Sequence, residues 1–191
     1  VIPGNHDYYT PGAVRRRRFE QRFGDLLWPE GTCPREASYP VIKDIAGVRL
    51  ILACSATTPP PMCAWGVLGT EQLQRIEEAA READGPVVLA LHHNVHQQKS
   101  RLRETTGRLR DRDDLIEVLR CTNIPLVLHG HDHRPVDLEV PGTGTRVISC
   151  GSSSLLSRAG QRFGRFHVID ITPAHLEVAQ WQVDEKTLAL R

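Results

Sequence analysis

The sequence predicts a layered α/β domain, and three observations predict it. Near-continuous apolar runs such as "VRLILACS", "PVVLALHH" and "IPLVLHG" read as strands buried on both faces. Between them lie segments with the helical spacing of apolar residues that crossovers in a parallel sheet require. After Pro135 the texture changes to short strands separated by turns, with no helical segment among them.

In chain order, residues 10–27 read as a helix with Thr10 as N-cap and Pro11 at the first position. Its apolar stripe would be Val14, Phe19, Phe23 and Leu26/Leu27. Four consecutive Arg at 15–18 spread around the helix axis and form a solvated face. "SYPVIKDIAGVRLILACSA" gives two strands around a turn near Ala46-Gly47. "TTPPPMCAWGVLG" is a Pro-rich surface loop, in which Trp65 caps the core. Thr70 is expected to cap a helix that turns Leu73, Ile76, Ala79/Ala80 and Ala83 to one side. A strand ending "LALHH", a helix over "RDDLIEVLRCT" and a strand ending "LVLHGHDH" follow. "VDLEV", "TRVISCGS", "RFHVIDI" and "HLEVAQWQV" complete the chain as strands.

Composition narrows the class. The chain has 191 residues, 40% apolar and 25% charged, which suits one soluble domain with a sizeable core. A net charge of +1 gives no general attraction to nucleic acid or membranes. No apolar run approaches the ~20 residues that span a bilayer, and the first residues do not read as a signal peptide. The five Cys are scattered without a CxxC pair, so neither a zinc ribbon nor a disulfide framework is expected. A cytoplasmic location follows as the expectation. Cys54 and Cys150, in apolar runs, are expected to be buried.

The histidines carry the chemistry. Of nine, seven fall in three short clusters: His6; His92, His93 and His96; His129, His131 and His133. Neutral imidazole is the commonest side-chain ligand of transition metals. Strand ends are where parallel-sheet enzymes place their sites. In extended backbone, His131 and His133 at i and i+2 would face the same way. His167 and His175 fall within strand patterns and are expected to be structural.

The ordered motifs "GNHD" at 4–7, "LHHNVH" at 91–96 and "GHDH" at 130–133 resemble those of the calcineurin-like metallophosphoesterase superfamily. The resemblance runs from residue 1 to about 172. It implies an αββα sandwich of two mixed sheets flanked by helices. It also implies hydrolysis of phosphate esters by metal-activated hydroxide, with two divalent ions (Mn, Fe or Zn) ~3.5–4 Å apart clamping the phosphate. By that resemblance Asn5, His92 and His131 would hold one metal and His133 would reach the other. His93 is the alternative to His92 and a possible pocket residue. His6 would contact the phosphate and act as general acid, with Asp7 orienting it. His96 lines either the substrate mouth or a loop surface. "SCGSSSLLSR" at 149–158 resembles the Gly/Ser turn that follows the last histidines in such enzymes.

The sequence departs from the family pattern in one respect. The Asp-x-His and Gly-Asp motifs that open the family's metal site do not occur before "GNHD"; Gly24-Asp25 lies after it and inside a helical pattern. The expectation is therefore a single domain over 1–191 lacking its N-terminal part, with one metal or none. The expected partner is a phosphate ester, a phosphodiester of a small molecule or nucleotide. Nucleic acid is not favoured, a membrane is not expected, and a second chain could supply the missing motifs. The alternatives are a catalytically inactive interaction module with a remnant metal pocket, and a nuclease of the same superfamily.

Overall fold

The structure is a computed structural model that describes all residues except 34, 35, 37, 99, 154–163, 173 and 184–191. The helices are α1 (Asn5–Tyr8), α2 (Pro11–Arg15), α3 (Arg18–Leu27), α4 (Thr70–Arg81), α5 (Arg101–Gly107) and α6 (Arg112–Cys121). The strands are β1 (Val41–Ile45), β2 (Val48–Leu52), β3 (Val87–Ala90), β4 (Leu126–Leu128), β5 (Pro135–Glu139), β6 (Arg146–Cys150), β7 (Arg165–Thr172) and β8 (His175–Gln182).

Six strands form one mixed sheet in the order β1-β2-β3-β4-β6-β5, and β7 pairs with β8 in a second. Strands β2, β3, β4 and β6 run parallel, with β1 and β5 antiparallel at the two edges. Alternation along the central strands divides the core between two faces. Val87, Leu89, Val127 and Val147 meet Leu73 and Ile76 of α4 and Leu115 and Leu119 of α6. Val48, Val88, Leu126 and Ile148 meet Ile169, Ile171, Leu176 and Val178 of the β7–β8 hairpin. Each such fully buried side chain contributes about 1.5–3 kcal/mol. The layers among the described residues are helices, a mixed sheet and a second sheet, which is the α/β sandwich expected.

Several local expectations change. Thr10 does cap α2, its hydroxyl accepting the Ala13 N–H at 3.1 Å. The single helix over 10–27 is instead two, because Arg17 takes a left-handed conformation at φ 48°. The break leaves Val14 and Leu26 exposed and buries Phe19 and Leu27 against Val41 at the sheet edge. Glu20 is buried with them and accepts the Tyr8 hydroxyl. Thr70 is the first helical residue of α4 rather than its cap. Gly69 holds that place, and the Asp111 carboxylate accepts the N–H groups of Leu68 and Gly69. Ala46 and Gly47 form the β1–β2 turn with φ 50° and 81°.

Trp65 is half-buried and lies under the Arg110 guanidinium, 3.9 Å from the ring centre, so it is not a core cap. Cys54 is buried, and burial pushes its thiol up to about 12, whereas Cys150 is half-buried. His175 is exposed on β8, and His167 faces Gln180 across the hairpin. The Ser/Gly stretch expected near the pocket lies outside the described residues from position 154 on. No helix among the described residues is long and apolar enough to cross a membrane.

Candidate metal centre

The four parallel strands point their carboxyl ends at one edge of the sheet, and three of them deliver side chains to the site there. β2 continues to Ser55, β3 to His92 and His93, and β4 to His129 and His131. The ends are tied together by backbone: the Leu91 N–H donates to Leu128 at 3.0 Å, and the Gly130 N–H to His92 at 3.1 Å. The first motif is not a strand end. Asn5 opens the short helix α1 and is 3% exposed.

Asn5, His92 and His131 converge. Asn5 Oδ1 is 2.8 Å from His92 Nε2, and His131 Nδ1 is 3.2 Å from that same nitrogen. Asn5 is oriented by its own Nδ2, which donates to the Tyr9 hydroxyl at 2.8 Å. The far side of the His131 ring lies against the Gly107 backbone, so Nδ1 is the ring nitrogen that faces the site. The backbone crowds these rings: a Cβ on Gly4 would stand 3.0 Å from His92, and one on Gly107 3.0 Å from His131.

Both rings are held neutral. Burial lowers the His92 pKa to about 3, with further lowering from His93, His131, His133 and His6. Burial also lowers the His131 pKa, against the raising effect of Asp132 and of the Gly107 backbone. His92 Nε2 stands within hydrogen-bond distance of both of its neighbours. An amide oxygen and two neutral imidazole nitrogens are a donor set for a borderline divalent cation, so these residues fit one metal. The set contains no carboxylate. Among the described residues no group of three or more His, Cys, Asp or Glu is arranged to hold a metal ion.

His93 does something different. It is fully buried, its Nε2–H donates to the Ala64 carbonyl at 2.9 Å, and its Nδ1 accepts the Ser55 hydroxyl at 2.8 Å. The Ser55 oxygen in turn accepts the His93 backbone N–H at 3.2 Å. Both ring nitrogens are therefore used, and His93 neither lines an open pocket nor substitutes for His92. The close packing needs Gly66, where a Cβ would fall 2.3 Å from His93 Nδ1 and 2.4 Å from the Ser55 carbonyl.

His131 and His133 are not extended. Their φ angles of 70° and 54° place both in the left-handed region, a strained state for non-glycine residues. His131 turns inward, while His133 is exposed at the rim of a cleft of about 290 Å³ that His131, Asp132 and Gly107 also line. His6 is exposed with its ring edge-on to Tyr9 at 4.6 Å. The Asp7 carboxylate accepts the Gly4 N–H at 2.8 Å, so it caps its own helix. His96 is half-buried, lies tilted against His129 with ring centres 5.2 Å apart, and lines a second cavity of about 420 Å³. Ser55, Gly66, Tyr9 and Gln98 shape the site without any signal in the sequence, because none lies in a motif with fixed spacing.

Residues 1–135 match the sequence profile of the family described as calcineurin-like phosphoesterase. No curated protein gives a significant match. Among solved structures, a dimetal phosphatase from Danio rerio is 18% identical with a TM-score of 0.41; the match covers 63% of this chain and 33% of that one. GAP50 of Plasmodium is 10% identical with a TM-score of 0.40, over 75% of this chain and 45% of that one. Vps29 from Entamoeba histolytica is 13% identical with a TM-score of 0.33, over 75% and 95%. The chain thus spans a third and just under half of the first two.

Proposed function

This chain belongs to the calcineurin-like phosphoesterase family, and from that premise we propose that it hydrolyses phosphate esters, phosphodiesters of small molecules or nucleotides, with a divalent cation. The observation that carries the reading is the convergence of Asn5 Oδ1 and His131 Nδ1 on His92 Nε2, at 2.8 and 3.2 Å. These three residues would hold one Mn, Fe or Zn ion, and exposed His133 would offer a first ligand to a second. When bound, such a cation supplies Lewis acidity toward a phosphoryl oxygen and lowers the pKa of water.

The chain's own groups do the rest. Tyr9 orients Asn5, and the Gly107 backbone packs against the His131 ring and holds its place. As water attacks phosphorus and the ester P–O bond breaks, His6 gives a proton to the departing oxygen. Its exposure lets it exchange that proton with solvent. The test is turnover of an aryl phosphodiester with added Mn²⁺ by wild type, His6→Ala and His92→Ala. Turnover that falls at least a hundredfold in both variants supports the reading.

The lack of a carboxylate among the converging donors favours a second reading, a binding module that takes up the metal without hydrolysis. Mn²⁺ binding that His92→Ala abolishes, with no turnover by wild type alone or with a chain carrying the Asp-x-His and Gly-Asp motifs, would replace the first reading with this one.

A further inference from the structure

Beside the His131–His133 cleft lies the cavity of about 420 Å³, and the two share Gln98, Arg103 and Asp132 as a common wall. Arg134 stands on the cavity's far side, with Val136 and Leu138 contributing an apolar floor. Four charged side chains face this space, and the two signs differ in their state. Asp137 accepts two hydrogen bonds from Arg146, each of 2.8 Å, and Asp132 accepts one from Asn94. Arg103 and Arg134 have no ion-pair or hydrogen-bond partner for their guanidinium groups among the described residues.

Gln98 adds a second, independent observation. It is 8% exposed, its backbone N–H is held by Glu104 at 2.9 Å, and neither its side-chain oxygen nor its nitrogen has a partner among the described residues. A buried amide with both ends unpaired is disfavoured unless something else occupies the space beside it. His96, which lines the same cavity, also has an unpartnered Nδ1. Asp137 is neutralised by Arg146, and Asp132, held by the neutral Asn94 amide, leaves one carboxylate against two unpaired guanidinium groups, so the cavity favours an anion. Guanidinium groups pair with phosphate or carboxylate through two parallel N–H bonds.

We propose that this cavity is an anion subsite, in which Arg103, Arg134 and Gln98 hold a second anionic group carried by the leaving group of the phosphate ester. The substrate class is then a phosphodiester or diphosphate ester whose departing half bears a further phosphate or carboxylate. This assignment of substrate rests on the hydrolase reading above; the anion subsite itself does not.

The experiment has two arms. In the first, inorganic phosphate is titrated into the metal-free protein in EDTA, and the thermal unfolding midpoint is compared with potassium chloride of equal ionic strength. Phosphate is expected to raise the wild-type midpoint by about 2–4 °C at saturation. The rise should vanish in Arg103→Ala/Arg134→Ala and persist in His92→Ala. Arg134→Lys, which keeps the charge, should retain part of it and covers the case in which the double variant does not fold. A rise that survives in the double variant, or that chloride reproduces, overturns the subsite. The second arm compares kcat/KM for two aryl phosphodiesters with Mn²⁺, one with a neutral and one with a carboxylate-bearing leaving group. A tenfold or greater preference for the anionic ester in wild type, falling below twofold in the double variant, supports the substrate class. No turnover of either ester, with an arginine-dependent rise in the first arm, removes the hydrolase reading and leaves the subsite. Turnover without preference, and without such a rise, removes the subsite and leaves the hydrolase.

Discussion

His92 and His93 are neighbours at the end of one strand, one half-buried and the other fully buried, both lowered in pKa to about 3, yet they belong to opposite kinds of structure. The His93 side is closed: every polar atom has a partner supplied by the fold, from Ser55 and the Ala64 carbonyl. The His92 side is open: its Nε2 faces two other metal-ligating atoms, Asn5 Oδ1 and His131 Nδ1, rather than a partner that only the fold needs. Burial alone does not separate scaffold from site, since Asn5 on the open side is 3% exposed and so nearly as buried as His93. Saturation of hydrogen-bonding capacity does, because a saturated ring has nothing left to offer a ligand.

The sharpest way to break the closed side is Gly66→Ala. The added methyl would meet a buried ring and a backbone carbonyl at 2.3 and 2.4 Å, neither of which can move away cheaply. A loss of about 3 kcal/mol is expected in urea unfolding, as for other overpacked cores. A change below 1 kcal/mol would show that the Ser55–His93 wall yields easily. On the open side His92→Ala removes a packed ring and leaves buried Asn5 Oδ1 without its partner, so it should cost about 1–3 kcal/mol and lower Mn²⁺ affinity at least tenfold. The measurement is the midpoint shift produced by Mn²⁺ and reversed by EDTA, which the variant should lack.

A smaller effect tests the loop that carries Gln98. Burial raises the Glu104 pKa, but the Gln98 N–H and the Arg112 guanidinium outweigh it and hold the carboxyl below its usual range. The folded state thus binds its proton less readily than the unfolded one. The stabilisation is present above the ordinary glutamate pKa and is lost as pH falls through the lower folded value. Glu104→Gln should therefore remove about 1–2 kcal/mol at pH 7 and flatten the decline in stability below pH ~4.5. Smallest of all, Asp137→Asn breaks an exposed pair with Arg146 on the β5–β6 edge, remote from both histidines, and should change stability by no more than ~0.5 kcal/mol.

Much of the scaffold was legible along the chain. The apolar runs became β2, β3 and β4, and the helical spacing of Leu73, Ile76, Ala79 and Ala80 became the buried face of α4. The short helices α1 and α5 were not legible, since four and seven residues are too few to display a period. Nor was the break at Arg17, where a left-handed residue sits inside a run that reads as continuous helix.

The sequence by itself determined which residues could meet at the site: the clustered His, the Asn of "GNHD", and the strands that carry them to one edge. Those signals are local, because strand and helix periods are set by backbone geometry over a few residues. Only the tertiary structure decided which histidine of a pair turns outward, that Asn5 reaches His92 across 87 positions, and that His131 faces inward while His133 stays exposed. Strand periodicity ends where β3 and β4 end. Beyond that point a side chain's direction is set by what packs against it, here Gly4, Gly66 and Gly107, each brought close by a different part of the chain.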